Sequence, residues 1–204
     1  RWSSGKTFGG LFDSLRAEAI GFLNDYYNLT SICTLSSGCG TNELDQQFEA
    51  GGARVWGLEL FTQAEPRLDR NFTFPIRGSY TYTNTQFLND FKSGDPTWGN
   101  VKGGDEFPYV PRHQASGSVG VDHRRFGVYA SGTFVDSMRE VAGTGEPDRY
   151  RRTDAYFLLD LSAKYKVTRQ LEIYANARNV LDEAYVASHR PYGARPGAPR
   201  WVSM

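Results

Sequence analysis

The chain has 204 residues and balances 23 basic against 23 acidic side chains, so no global field draws it toward nucleic acid. Its mean hydropathy is −0.53, and no apolar run approaches the ~18 residues of a membrane-spanning helix. That excludes helical spanning but leaves a transmembrane β-barrel open, because such a barrel confines its lipid face to alternate residues.

Composition points to β structure. Aromatics are 14% of the chain, with 12 Tyr and 13 Phe, and there are 22 Gly; strand formers and turn formers are both enriched. Residues 1–6 lack the apolar core of a signal peptide, which fits either a fragment or a chain without a leader.

In chain order, residues 1–9 read as the tail of a strand and 9–13 as a turn. Stretch 14–26 alternates: Leu15, Ala17, Ala19 and Leu23 oppose Arg16, Glu18 and Asn24, ending at Tyr26 and Tyr27. A long polar loop, 28–50, follows. It holds Cys33 and Cys39, which read as a short disulfide of an oxidising compartment in preference to free thiols, with no His nearby for a metal site.

Stretch 51–64 returns as a strand with Trp56, Leu58 and Leu60 on one face and Glu59 on the other. After a short connection, 74–86 alternates Phe74, Ile76, Gly78, Tyr80 and Tyr82 with Arg77, Ser79, Thr81 and Thr83. A second long loop, 87–111, carries Trp98. Strands at 114–121 and 126–135 flank a charged turn at Asp122, His123, Arg124 and Arg125. A third long loop, 136–154, is strongly charged. Stretches 155–167 and 170–178 alternate again, and 184–199 forms a fourth long loop.

These strands exceed the five or six residues usual in soluble proteins, and their connections alternate short and long. A tilted membrane strand needs about 9–11 residues, with short turns on one side and long loops on the other. Tyr26, Tyr27, Trp56, Phe74, Tyr156, Tyr174 and Tyr185 near strand ends suit interfacial aromatic girdles. On pattern alone, a soluble β-sandwich with decorated loops stands as the alternative.

The segment ARNVLDEAYV (177–186) resembles the penultimate strand region of TonB-dependent outer-membrane receptors, in which an Asn-Leu-(Phe/Thr)-Asp run precedes an aromatic residue. GAPRWVSM (197–204) resembles the Gly-x-Pro-Arg opening of that family's final strand. RVWGLE (54–59), FPIRGSYTYT (74–83) and FPYVPRHQ (107–114) are similar to other strand openings, in the same order along the chain. Stretches 17–30 and 45–59 look most like ferric-dicitrate-type receptors.

The resemblance implies an all-β, antiparallel up-and-down transmembrane barrel of about 22 strands, of which residues 1–204 supply about 8–9 as the C-terminal part. The family's plug domain is absent from the chain. The resemblance also implies that the last strand stops short of the family's aromatic terminus at Met204. Residence in a Gram-negative outer membrane is implied, as is import of ferric chelates such as ferric citrate or another siderophore. The implied partners are the TonB–ExbB–ExbD energy-coupling system through the plug, outer-membrane lipid and lipopolysaccharide, and the barrel-assembly machinery. No intrinsic cofactor is implied, the ferric chelate being cargo. Other TonB-dependent cargo (oligosaccharide or cobalamin) and a passive porin-like barrel are the alternatives.

Within that reading, Arg149, Arg151 and Arg152 are candidates for holding an anionic chelate, since guanidinium groups pair bidentately with carboxylates. The alternatives are a solvated loop balancing Glu146, Asp148 and Asp154, or contact with lipopolysaccharide phosphates. Arg190, Arg195 and Arg200 share the ambiguity, and Trp98 could pack on a ligand or within its loop. His113, His123 and His189 lack metal-ligand spacing, and no nucleophile elbow, phosphate loop or Cys/His pairing suggests an enzyme.

Overall fold

The computed structural model describes residues 2–5, 12–189 and 193–204. Arg190 and residues 9–11 of the turn expected at 9–13 lie outside them, whereas residues 12 and 13, expected in that turn, already belong to the strand Phe12–Ile32. Nine strands follow one another as hydrogen-bonded neighbours: β1 (Trp2–Gly5), β2 (Phe12–Ile32), β3 (Gln47–Pro66), β4 (Ile76–Phe87), β5 (His113–His123), β6 (Phe126–Val135), β7 (Tyr156–Lys166), β8 (Glu172–Arg178) and β9 (Trp201–Ser203). Every pairing is antiparallel. The short segment Phe72–Thr73 also pairs with the end of β5, which makes the sheet ten-stranded. The sheet is open, with β1 and β9 at its edges.

Register turns the local alternation into two continuous faces. Trp56, Leu58 and Leu60 lie opposite Leu23, Gly21 and Ala19 on one side. Leu58 and Leu60 face Tyr82 and Tyr80 on the other. The same row system continues through Ile76↔Val119, Val119↔Ala130 and Ala130↔Leu161, ending at Ala177↔Val202. This row is apolar and open: Val119 is 56% exposed and Val202 64%. The opposite face carries Arg77, Ser118, Ser131 and Asp160 in one row. An apolar face of this extent suits lipid, and the polar face suits a water-filled lumen.

An antiparallel meander places alternate connections at the same end. One end holds the tight turns, of which 124–125 is the shortest. The turn at 167–171 is pinned by Thr168, whose Oγ1 accepts from the Leu171 N–H at 3.0 Å. The other end holds 33–46, 88–112, 136–155 and 179–200.

The first hairpin differs from expectation. Both its strands continue beyond 26 and 51, to Ile32 and from Gln47, so the loop is 33–46. The alternation breaks there because the ladder shifts register between Tyr26 and Thr30. Asn28 (φ 56) and Gly51 (φ 66) adopt left-handed conformations at that irregularity, and pairing resumes as Thr30↔Glu49. Strand β4 starts at Ile76, two residues later than expected, since Pro75 has no N–H for the ladder.

The buried core sits at the long-loop end. Phe87 and Val101 are 0% exposed and pack with Ala50, Ala53, Phe91, Trp98 and Phe107. The Phe87 ring lies 4.3 Å from Phe107 and 5.2 Å from both Trp98 and Phe91. Cys33 and Cys39 form the expected disulfide, with Cα atoms 5.9 Å apart.

Candidate functional site

Four long connections gathered at one end make a cap, and the candidate residues lie on it. In the third loop, Met138–Arg139 pairs with Arg152–Thr153 as a short ribbon. Between them, Arg149–Arg151 forms one turn of 3-10 helix. Asp148 caps this turn: its Oδ1 accepts from the Tyr150 N–H at 3.3 Å, and its carbonyl accepts from the Arg151 N–H at 2.9 Å.

The arginines divide by role. Arg139 is buried, donating from Nε to Glu106 at 3.2 Å and from Nη2 to the Gly145 carbonyl at 2.7 Å. Glu106 also pairs with Arg112, so this cluster ties the third loop to the second. Arg152 donates to Glu146 at 3.0 Å and lies 3.7 Å from Asp154. Arg149 and Arg151 are exposed and have no ion-pair partner among the described residues.

Arg149 and Arg152 line a cavity of about 430 Å³ between the third and fourth loops, with Tyr150, Glu183, Tyr185 and His189. Arg151 is not on its wall, and Trp98 lines a different cavity. The site residues read from the sequence are therefore split. The Arg149–Arg152 cavity is amphoteric, since Asp154 and Glu183 share its lining. Arg149 offers an uncommitted guanidinium there, whereas Arg152 is already paired with Glu146 and lies near Asp154.

The fourth loop is held in place by contacts that the sequence did not announce. Glu140, whose side chain is 5% exposed, accepts from the His189 N–H at 2.9 Å. The same oxygen lies 2.9 Å from His189 Nδ1. His189 thus fastens the fourth loop to the third instead of standing alone. Tyr185 stacks on Tyr156 at 4.3 Å. Gly197 lies directly beneath the Tyr185 ring, where a Cβ would meet ring atoms at 2.0–2.4 Å.

The Asn-Val-Leu-Asp run also gains a physical meaning. Buried Asn179 donates from Nδ2 to the carbonyls of Glu183 (2.9 Å) and Ala198 (3.0 Å), and its Oδ1 accepts from the Glu183 N–H (2.9 Å). Asp182 accepts from the Arg200 N–H at 3.2 Å and lies 3.6 Å from the Arg200 guanidinium. One short run therefore clasps the lead-in to β9, and Arg200 serves that clasp.

Among the described residues, Cys33, Cys39 and Asp95 form a group with metal-ligand spacing. Its two sulfurs are joined to each other, so neither is the thiolate that binds metal. In the second loop, the Gly103 N–H and then the Lys102 ammonium, both on the Asp90 carboxylate, hold Asp90 below the ordinary aspartate range.

Comparison with known proteins agrees with this geometry. No curated protein matches the sequence. The fold resembles the ferric-catecholate import receptor Fiu of E. coli K12 in its closed form, with 23% identity, TM-score 0.63, and coverage of 91% of this chain and 24% of that one. It also resembles the ferric yersiniabactin uptake receptor FyuA of Yersinia pestis, with 20% identity, TM-score 0.62, and coverage of 98% and 28%. For the copper transporter OprC the values are 17%, 0.62, 92% and 28%. The chain thus spans about a quarter of the length of these structures. The family described as TonB dependent receptor-like, beta-barrel matches residues 4–180. With nine consecutive antiparallel strands, long loops at one end and a match over most of its length, the chain belongs to the TonB-dependent receptor β-barrel family of Gram-negative outer membranes.

Proposed function

We propose that the chain is the C-terminal part of a receptor barrel that binds ferric chelates outside the cell and imports them with TonB-coupled energy. In this reading the plug and the remaining strands lie elsewhere in the receptor. The TonB–ExbB–ExbD system acts through that plug, lipopolysaccharide surrounds the barrel, and the barrel-assembly machinery inserts it. Ferric citrate is the cargo proposed for the Arg149–Arg152 cavity, with Arg151 on the approach.

The observation that carries this reading is the uncommitted Arg149 guanidinium, exposed beside Arg152 in a cavity at the long-loop end. A carboxylate-rich anion gains a charge-assisted, bidentate partner there. Such a bond contributes about 1.5–3 kcal/mol, which corresponds to roughly 10- to 100-fold in affinity.

The test is equilibrium binding of ferric citrate to the full-length receptor in detergent. Arg149→Glu and Arg152→Glu are expected to weaken binding by about tenfold or more each. An affinity unchanged by reversing all three of Arg149, Arg151 and Arg152 would sink the proposal.

A further inference from the structure

A second cavity, of about 500 Å³, opens where the disulfide loop meets the second and fourth loops. It differs from the arginine cavity in the sign of its buried charge. Asp95 stands in its wall with the aromatic side chains of Trp98, Phe107 and Tyr109.

Asp95 is 3% exposed and has no ion-pair partner among the described residues. Its Oδ1 accepts from the Thr97 N–H (2.8 Å) and the Thr97 hydroxyl (2.7 Å), while Oδ2 accepts nothing among the described residues. Burying a carboxylate with spare acceptor capacity and no cation is costly. A bound cation that carries N–H groups offsets that cost.

The charge around Asp95 has the same sign. The disulfide loop, 33–46, carries Glu43 and Asp45 and no Lys or Arg. The Glu43 carboxyl group packs on Gly94, the residue before Asp95, where a Cβ would lie 3.0 Å from its carboxyl carbon. Arg195, from the fourth loop, is the basic residue of the lining, and it is exposed. Water and salt screen an exposed charge far more than a buried one, so a cation in the cavity meets a net attraction.

The aromatic wall adds to that attraction. Trp98 is held against Phe87 and Phe48, at 5.2 and 5.4 Å, so its indole is fixed before a ligand arrives. Aromatic faces attract cations, and a wall set in advance loses little freedom on binding.

We infer that this cavity binds a primary alkylammonium ion, with its N–H groups on Asp95 Oδ2 and its methylene chain along the aromatic wall. The spare acceptor selects a nitrogen that still carries hydrogen, which a quaternary ammonium lacks. An alcohol of the same length donates one hydrogen bond but leaves the buried charge uncompensated. The inference does not rest on the arginine cavity: the two cavities share no lining residue, and they favour ligands of opposite charge.

The test is isothermal calorimetry on the full-length receptor in detergent at neutral pH, with n-butylammonium chloride, choline chloride and n-butanol as probes. Saturable binding of butylammonium is expected, with choline weaker by about threefold or more and butanol weaker by about tenfold or more. Asp95→Asn keeps the Oδ1 acceptor that Thr97 uses and removes the charge, and it is expected to weaken butylammonium binding by about tenfold or more. Ser36 is an exposed residue of the lining. Ser36→Arg sets a competing cation there without touching the buried core, and is expected to weaken binding by about threefold or more. Absence of saturable butylammonium binding would overturn the inference. So would choline or butanol binding as tightly as butylammonium, or an affinity unchanged in both variants.

Discussion

The sheet wall and the loop cap of this chain obey opposite burial rules. In the wall, Leu23, Val119, Val128, Ile173 and Val202 are exposed. In the cap, Phe87, Val101, Ala50 and Ala53 are fully enclosed. One chain thus meets two solvents. In water, apolar side chains gather and are buried. In lipid they have no such incentive, and the wall is held by backbone ladders between neighbouring strands. The cap behaves as a small globular domain carried on membrane strands, and both candidate cavities lie on it.

The contrast can be broken from either side. The largest effect belongs to Phe87→Ala, which empties the centre of the cap core and should cost about 3–5 kcal/mol. Amides of 88–112 should lose hydrogen-exchange protection while those of β5 to β7 keep theirs. Equal loss in both regions would mean that cap and wall are one cooperative unit. The next effect is Val119→Arg on the outward face, expected to cost about 2–4 kcal/mol in bilayers if Val119 lies near the midplane. Neighbouring Ser118→Arg, on the polar face, should cost much less. Urea unfolding in liposomes measures both, and equal values would remove the distinction between the faces.

The smallest effect is a pH dependence of the second loop. The folded-state pKa of Asp90 is lowered from 3.8. Its contribution is therefore fully present above that ordinary value and is lost as pH falls through the lowered one. Loop 88–104 should gain hydrogen-exchange mobility below about pH 4, and Asp90→Asn should remove that pH dependence. A loop equally protected on both sides of the transition would contradict the assignment.

What the sequence revealed follows from periodicity. The apolar positions Leu58, Tyr80, Val119 and Leu161 were legible because a strand's side chains alternate with period 2, and register then placed them on one face. The upper part of the first hairpin was not legible, because the register shift near Asn28 and Gly51 breaks the alternation. The disulfide was legible from two cysteines in one polar loop. The cavities were less so. Arg149 and Arg152 stood out as a basic run, yet nothing local showed that Arg151 leaves the wall or that Trp98 faces another cleft. The Glu140–His189 contact joins residues far apart in sequence on loops with no periodicity. The Asn179 and Asp182 clasp was visible as a motif, but its partners Ala198 and Arg200 became clear only once the fourth loop was folded back.

The central claim, that one face of the sheet meets lipid and the other meets water, is tested most directly by scanning single nitroxide labels along β5 and β6 of the full-length receptor in bilayers. The account predicts that accessibility to oxygen and to a polar nickel chelate alternates residue by residue and in opposite phase. Oxygen accessibility should peak at Ala115, Val119 and Val128, and chelate accessibility at Ser116, Ser118 and Ser131. Both signals rising and falling together, or a period other than two, would contradict it.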